Sequence, residues 1–158
     1  MKIWLCWFQG EQDSSLSSRD KACIQRWRDV AGSHEVVVLD ETKIKKILPE
    51  YNQIIEQCKH ERSLQAKSDL LRLLLLNKYG GIWADTSVYP LANAEEIIRQ
   101  TTLETNIFFY SFAKKRFSIQ KGDRLTASWF IVAKEPNLYA IETLCTEFTR
   151  RFLSAKQW

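Results

Sequence analysis

The sequence predicts an α/β domain built on a mostly parallel sheet flanked by helices, and three observations carry that expectation. An apolar opening stretch, residues 2–8, is followed by a helical pattern and then by the β-branched run EVVVLD at 35–40, which makes a strand–helix–strand unit. Leu70 to Leu76 reads as a buried helix that meets a short strand, Ile82-Trp83-Ala84, across Gly80 and Gly81. The composition, 45% hydrophobic and 27% charged over 158 residues, suits one globular domain spanning 1–158 with a core of its own.

Residues 2–8 mix aliphatic and aromatic side chains as a strand does, and Gln9-Gly10 ends them in a turn. Ser17 or Ser18 can cap a helix to about Val30, because Ala22, Cys23, Trp27 and Val30 recur at helical spacing; Ala31-Gly32-Ser33 stops it. After the 35–40 strand, Pro49 divides residues 43–59 into two short helices. The central helix begins near Ser63. Pro90 makes 88–91 an edge or irregular strand, and 94–100 reads as a short helix. Strands are expected at 107–112 and 128–133, joined by a basic loop at 113–124. An amphipathic helix over 137–153, opened by Pro136, closes the chain.

Several function classes are excluded. The longest apolar run, interrupted by Arg72, is far short of the ~20 residues of a membrane span, and MKIWLCWFQG lacks the apolar core of a signal peptide. Cys6, Cys23, Cys58 and Cys145 form no C-x-x-C and have no nearby His pair, so they read as free thiols in a reducing, cytoplasmic compartment. A net charge of +4 collects at Lys43/Lys45/Lys46, Lys114/Lys115/Arg116/Lys121 and Arg150/Arg151. Those clusters are either solvated faces or peripheral contacts to anionic lipid at the inner membrane face or to a charged glycan. Nucleic acid is not expected as a partner, since no helix-turn-helix, zinc finger or aromatic RNA-binding strand accompanies the charge. G-x-S-x-G, Walker A and G-x-G-x-x-G motifs are absent from the sequence.

Chemistry is expected around the glycine pair. Asp69 and Arg72, at i and i+3, share one helical face and interrupt an apolar surface, where buried charges need partners. The strand then delivers Asp85, with Thr86 and Ser87, to its carboxyl end, where open α/β sheets hold phosphates, sugars or metals. Asp85 could instead simply cap the turn before Pro90. Asp40, at the end of another strand, reads equally as a helix cap or as a contact to a base or ribose.

SDLLRLLLLNKYGGIWADTSVYPL resembles the signature of capsular polysaccharide synthesis proteins and of related DXD-type glycosyltransferases that act on nucleotide sugars. Those families carry an S-D-x-x-R helix, then G-G-[IV]-[WY], then an aspartate that opens the site. The matching positions are Ser68, Asp69, Arg72, Gly80, Gly81, Trp83 and Asp85. TASWFIVA is similar to a later stretch of the family, with Trp129 as its aromatic, near the sugar or acceptor unless it is a core residue.

The resemblance implies a GT-A-like, Rossmann-like domain and a hexosyltransferase of surface polysaccharide synthesis. Its catalytic positions would be Asp69, Arg72 and Asp85, with Arg72 either orienting Asp69 or gripping phosphate. Trp7, Gln9, Asp40, Gly80, Gly81, Trp83, Ser87 and Trp129 would meet the donor, and a divalent cation, Mn or Mg, would sit on Asp85 and Ser87. Ser87 stands where many relatives have a second Asp, and a hydroxyl is the weaker ligand for a hard cation. The implied partners are a nucleotide-sugar donor and a glycan or lipid-linked acceptor. Such transferases usually exceed 158 residues, so the resemblance also admits a chain lacking its C-terminal part, or a sugar-nucleotide-binding module without turnover.

Overall fold

A computed structural model describes residues 1–111 and 126–154. The basic stretch at 113–124 and the last four residues lie outside the described residues.

The strand–helix–strand unit forms as expected: β1 (Lys2–Cys6), α1 (Ser18–Val30) and β2 (Glu35–Leu39). Ser17 caps α1, its side chain accepting from the backbone N–H of Asp20. Asp40 caps α2 (Glu41–Ile47), and Pro49 opens α3 (Pro49–Gln57) where its missing N–H costs nothing. The long helix α4 (Leu64–Tyr79), capped by Ser63, runs into β3 (Gly81–Ala84). Then follow α5 (Ala94–Thr101), β4 (Ile107–Ser111), β5 (Thr126–Ala133) and α6 (Tyr139–Ser154).

The five strands form one sheet in the order β2-β1-β3-β5-β4. Parallel pairing is confined to β2-β1-β3, while β5 joins β3 and β4 antiparallel. The sheet is therefore mixed, because β4 and β5 pair antiparallel instead of being carried across by a helix. Only β5 runs against the other four strands, so the sheet is mostly parallel as expected. Two other expectations change. Residues 88–91 form no strand: the Val88 N–H closes a turn onto Asp85 O (2.9 Å), and the Val88 and Pro90 carbonyls accept from Trp27 and Arg26 of α1. The last helix starts at Tyr139, because Asn137 takes φ 56° and donates its N–H to Asn77 O at the end of α4.

Side-chain alternation along the strands builds a core on each face of the sheet. Trp4, Trp83 and Ile131 pack with Leu70, Leu71, Leu75 and Leu76 of α4, and with α6 through Ile141 and Phe152. Ile3, Leu5, Ile82, Ala84 and Phe130 pack with Ile24 and Trp27 of α1 and Ile98 of α5. Central β3 is buried along its whole length. The register carries the site: Ala84 faces α1, so the next residue, Asp85, faces α4 as Trp83 does.

Candidate active site

Residues 65, 68, 69 and 72 form one stripe along α4, at helical spacing. That stripe meets the carboxyl end of β3. Arg72, 4% exposed, forms an ion pair from Nη1 to Asp69 Oδ1 at 2.8 Å and donates from Nη2 to Asp85 Oδ1 at 3.2 Å. Nη2 also reaches Ser68 Oγ at 3.2 Å, and the guanidinium carbon lies 5.1 Å from the centre of the Trp83 ring. The Trp83 indole N–H, in turn, donates to Asp85 Oδ1 at 2.9 Å. Beyond the strand, the ladder continues for one bond, Asp85 N–H to Trp129 O at 2.9 Å.

Both terminal nitrogens of Arg72 thus meet carboxylates and its face an indole, contacts of the kind that would orient Asp69 and Asp85, while its buried Nε has no partner among the described residues. One guanidinium between two carboxylates leaves the cluster one charge negative, which suits sugar hydroxyls or a cation better than an anion. Two donors occupy Oδ1 of Asp85; among the described residues none reaches Oδ2. Burial pushes the Asp69 carboxyl above its ordinary range, against the opposing pull of Arg72 and of a 3.3 Å hydrogen bond from Ser128 Oγ.

Two cavities open beside this cluster. The first, about 410 Å³, is polar and lies between the end of β1 and the first turns of α1 and α4. Trp7, Gln9, Arg19, Ser68, Asp85 and Ser87 are among its walls. The second, about 260 Å³, lies between α4, the β4–β5 pair and α6, with Asp69 and Ser128 among mostly apolar neighbours. Arg72 borders both.

Compared with known proteins, residues 1–157 match the family model described as capsular polysaccharide synthesis protein. The chain belongs to that family. Among solved structures it is similar to one titled "PaToxG Glycosyltransferase", with a TM-score of 0.63 at 11% identity, covering 98% of this chain and 61% of that one. At that identity the likeness shows the fold, and this chain spans less than two thirds of the other's length. No curated protein matches.

Within this member of the capsular polysaccharide synthesis family, the sequence-expected residues divide cleanly. Asp69, Arg72, Trp83 and Asp85 come together as described. Trp7, Gln9 and Ser87 line the polar cavity. The glycines do not reach it: both lie at the other end of β3. A Cβ on Gly81 (φ 107°) would stand 2.4 Å from Lys2 O, and one on Gly80 2.9 Å from the Glu135 backbone, so both are required by close packing. Gly80 has the positive φ expected of a cap, 62°, but its ψ of −159° is extended and outside the left-handed helical region.

Asp40 caps α2, accepting from the Lys43 N–H at 2.8 Å, and is not among the walls of the cavity. Trp129 is neither core nor cavity wall. It is 37% exposed and stacks on Tyr110 at 4.8 Å. Sequence reasoning missed Arg19, Gln65 and Ser128. Arg19 was legible in part, since the Ser17-x-x-Asp20 capping pattern fixes where α1 begins and hence which residues stand in its first turn.

Proposed function

We propose that this chain binds a nucleotide sugar in the polar cavity and transfers the sugar to a glycan or lipid-linked acceptor during capsular or other surface polysaccharide synthesis. The observation that carries the reading is the Asp69–Arg72–Asp85 cluster, held at the carboxyl end of the central strand and bordering the cavity. Family membership and the glycosyltransferase fold supply the reaction class.

In this reading the first turn of α1, with its free N–H groups and the largely exposed Arg19, takes the diphosphate. Trp7 contributes an indole N–H that is buried with no acceptor among the described residues, a donor that a base or ribose oxygen can satisfy. Asp85 Oδ2 and Ser87 would hold a divalent cation, Mn or Mg, that brings phosphate oxygens and water as its other ligands. The described residues contain no group of three acidic, His or Cys ligands, so they fit a cation shared with the donor and not an all-protein cage. When bound, such an ion neutralises the leaving diphosphate. Arg72 fixes Asp69 and Asp85 against the sugar, and the apolar neighbours of the second cavity keep water from the transferred group.

No helix among the described residues is long and apolar enough to cross a membrane. Work at the cytoplasmic face of the membrane, held by the basic clusters, is part of the proposal. Thermal unfolding against uridine and guanosine diphosphate sugars, with and without manganese, tests it. Saturation near 100 times the dissociation constant adds about 2.7 kcal/mol, a rise of several degrees. A manganese-dependent rise for one donor identifies nucleotide and cation together. Binding without turnover in the presence of acceptor glycans makes the chain a recognition module, and no rise with any donor removes the reading.

A further inference from the structure

The second cavity differs from the first in its chemistry. Three of its polar groups cluster: Asp69 Oδ1, Ser128 Oγ at 3.3 Å from it, and the buried guanidinium of Arg72 at 2.8 Å. The rest of the described lining is mostly apolar: Leu73 from α4, Phe109 from β4, Ile131 from β5, and Leu144 and Phe148 from α6, with Thr126 and Ala127 at the start of β5. At about 260 Å³ it falls below the ~300–1,000 Å³ of drug-sized sites, which suits a single ring. Arg72, the one cation that borders it among the described residues, is already shared by two carboxylates, so the described lining offers a diphosphate no free cation. A hydrocarbon chain would leave the Asp69 carboxylate unsolvated.

A ring with hydroxyls on one edge satisfies Asp69 and Ser128. The edge that meets the apolar side chains decides which ring. A fully hydroxylated hexose would press hydroxyls against leucine and phenylalanine with nothing to bond them. A methyl group in the same place would bury apolar area against apolar area.

Building on the proposed transfer reaction, we propose that this cavity takes a sugar ring carrying a methyl-bearing substituent, of the deoxy or acetamido class, with its hydroxyls on Asp69 and Ser128 and its methyl against Leu73, Phe109, Leu144 and Phe148. The ring is either the donor's own sugar, reached past Arg72 from the polar cavity, or the terminal sugar of the acceptor. Either way the cavity selects for the methyl.

Methyl-resolved NMR of the folded chain tests this with glucose, 6-deoxyglucose and N-acetylglucosamine, while the indole signals of Trp7 and Trp83 report uridine diphosphate. The methyl signals of Leu73 and Leu144 are expected to shift with 6-deoxyglucose or N-acetylglucosamine at concentrations about 10-fold or more below those needed for glucose. Leu144→Gln, at a position 45% exposed and so safe for folding, is expected to erase that difference. Glucose binding as well as its methyl-bearing relatives overturns the proposal, as does nucleotide binding at the indoles with no sugar moving the leucines. Sugar binding without nucleotide binding keeps the cavity assignment and removes the donor reading. If uridine diphosphate N-acetylglucosamine moves indoles and leucines in one titration, the ring is the donor's. If free N-acetylglucosamine still moves the leucines with that donor saturating, it is the acceptor's.

Discussion

The two ends of β3 stand only four residues apart and follow opposite rules. At the amino end Gly80 and Gly81 are buried and tightly packed: the Gly80 carbonyl takes the Trp4 indole N–H at 2.9 Å, and neither residue has room for a Cβ. At the carboxyl end Asp85 is 39% exposed, charged and held by two donors beside an open cavity. One motif in the sequence thus contains two kinds of necessity. The glycines fix where β3 lies, and the carboxylates depend on that placement. Changes at the first end should cost stability and leave ligand geometry intact in the folded fraction; changes at the second should do the reverse.

Arg72 is the exception that belongs to both, and the largest effect is expected there. Arg72→Met leaves Asp69 and Asp85 facing each other without their cation, a loss of about 3–5 kcal/mol, together with loss of transfer. The stability loss should shrink in acid, where the carboxylates protonate; urea unfolding at two pH values measures it. Arg72→Lys keeps the charge but not the fork, so activity should fall further than stability. Next comes Gly81→Ala, with a Cβ 2.4 Å from Lys2 O at a φ of 107°. The expected cost is about 2–4 kcal/mol, with the nucleotide affinity of the folded protein unchanged by calorimetry. An equal loss of affinity would dissolve the division between the two ends.

Asp85→Asn reverses that pattern. Turnover should fall on the order of 100-fold, with stability within about 1 kcal/mol of the parent; donor transfer and thermal unfolding read the two quantities. The effect at Asp69 is subtler and depends on pH. Burial raises its pKa above 3.8, so the folded chain holds that proton more tightly than the unfolded chain. Its contribution is complete below 3.8 and is lost as pH rises through the raised value. The melting temperature of the parent relative to Asp69→Asn should therefore decline across that window, and the acid limb of turnover should lie above the ordinary carboxylate range. A difference that is flat with pH would place Asp69 in solvent. The smallest effect concerns Cys6, at the end of β1, whose thiol burial pushes up to about 12. Although it borders the polar cavity, it should react with alkylating reagents many times more slowly than an ordinary thiol, which mass spectrometry can follow.

Much of this fold was legible because its signals are local. Ser17, Asp40 and Ser63 cap helices where their side chains can satisfy the next free N–H groups, and Pro49 starts a helix for the same bookkeeping of donors. Residues 88–91 misled because a short apolar run, Val88-Tyr89-Pro90-Leu91, looks the same whether a partner strand lies beside it or α1 does. The antiparallel β4–β5 pair was equally hidden, since pattern fixes a strand but not its neighbour. Trp129 shows the limit for single residues: a tryptophan in an apolar run looks like core, yet it sits on the surface beside Tyr110.

By itself the sequence determined the elements, the two carboxylates and the arginine of the cluster, and the demand that so buried a charge find partners. Spacing along a helix and alternation along a strand decide these, and both are properties of a few consecutive residues. Only the tertiary structure decided which partners. It brought Arg72 and Asp85, 13 residues apart in the chain, to 3.2 Å, and placed Ser128 from a distant strand against Asp69. It also relieved the glycines and Asp40 of any part in the cavity. Those outcomes rest on which strands became neighbours in the sheet, and strand order is set by long-range packing of both faces at once, which no local pattern encodes.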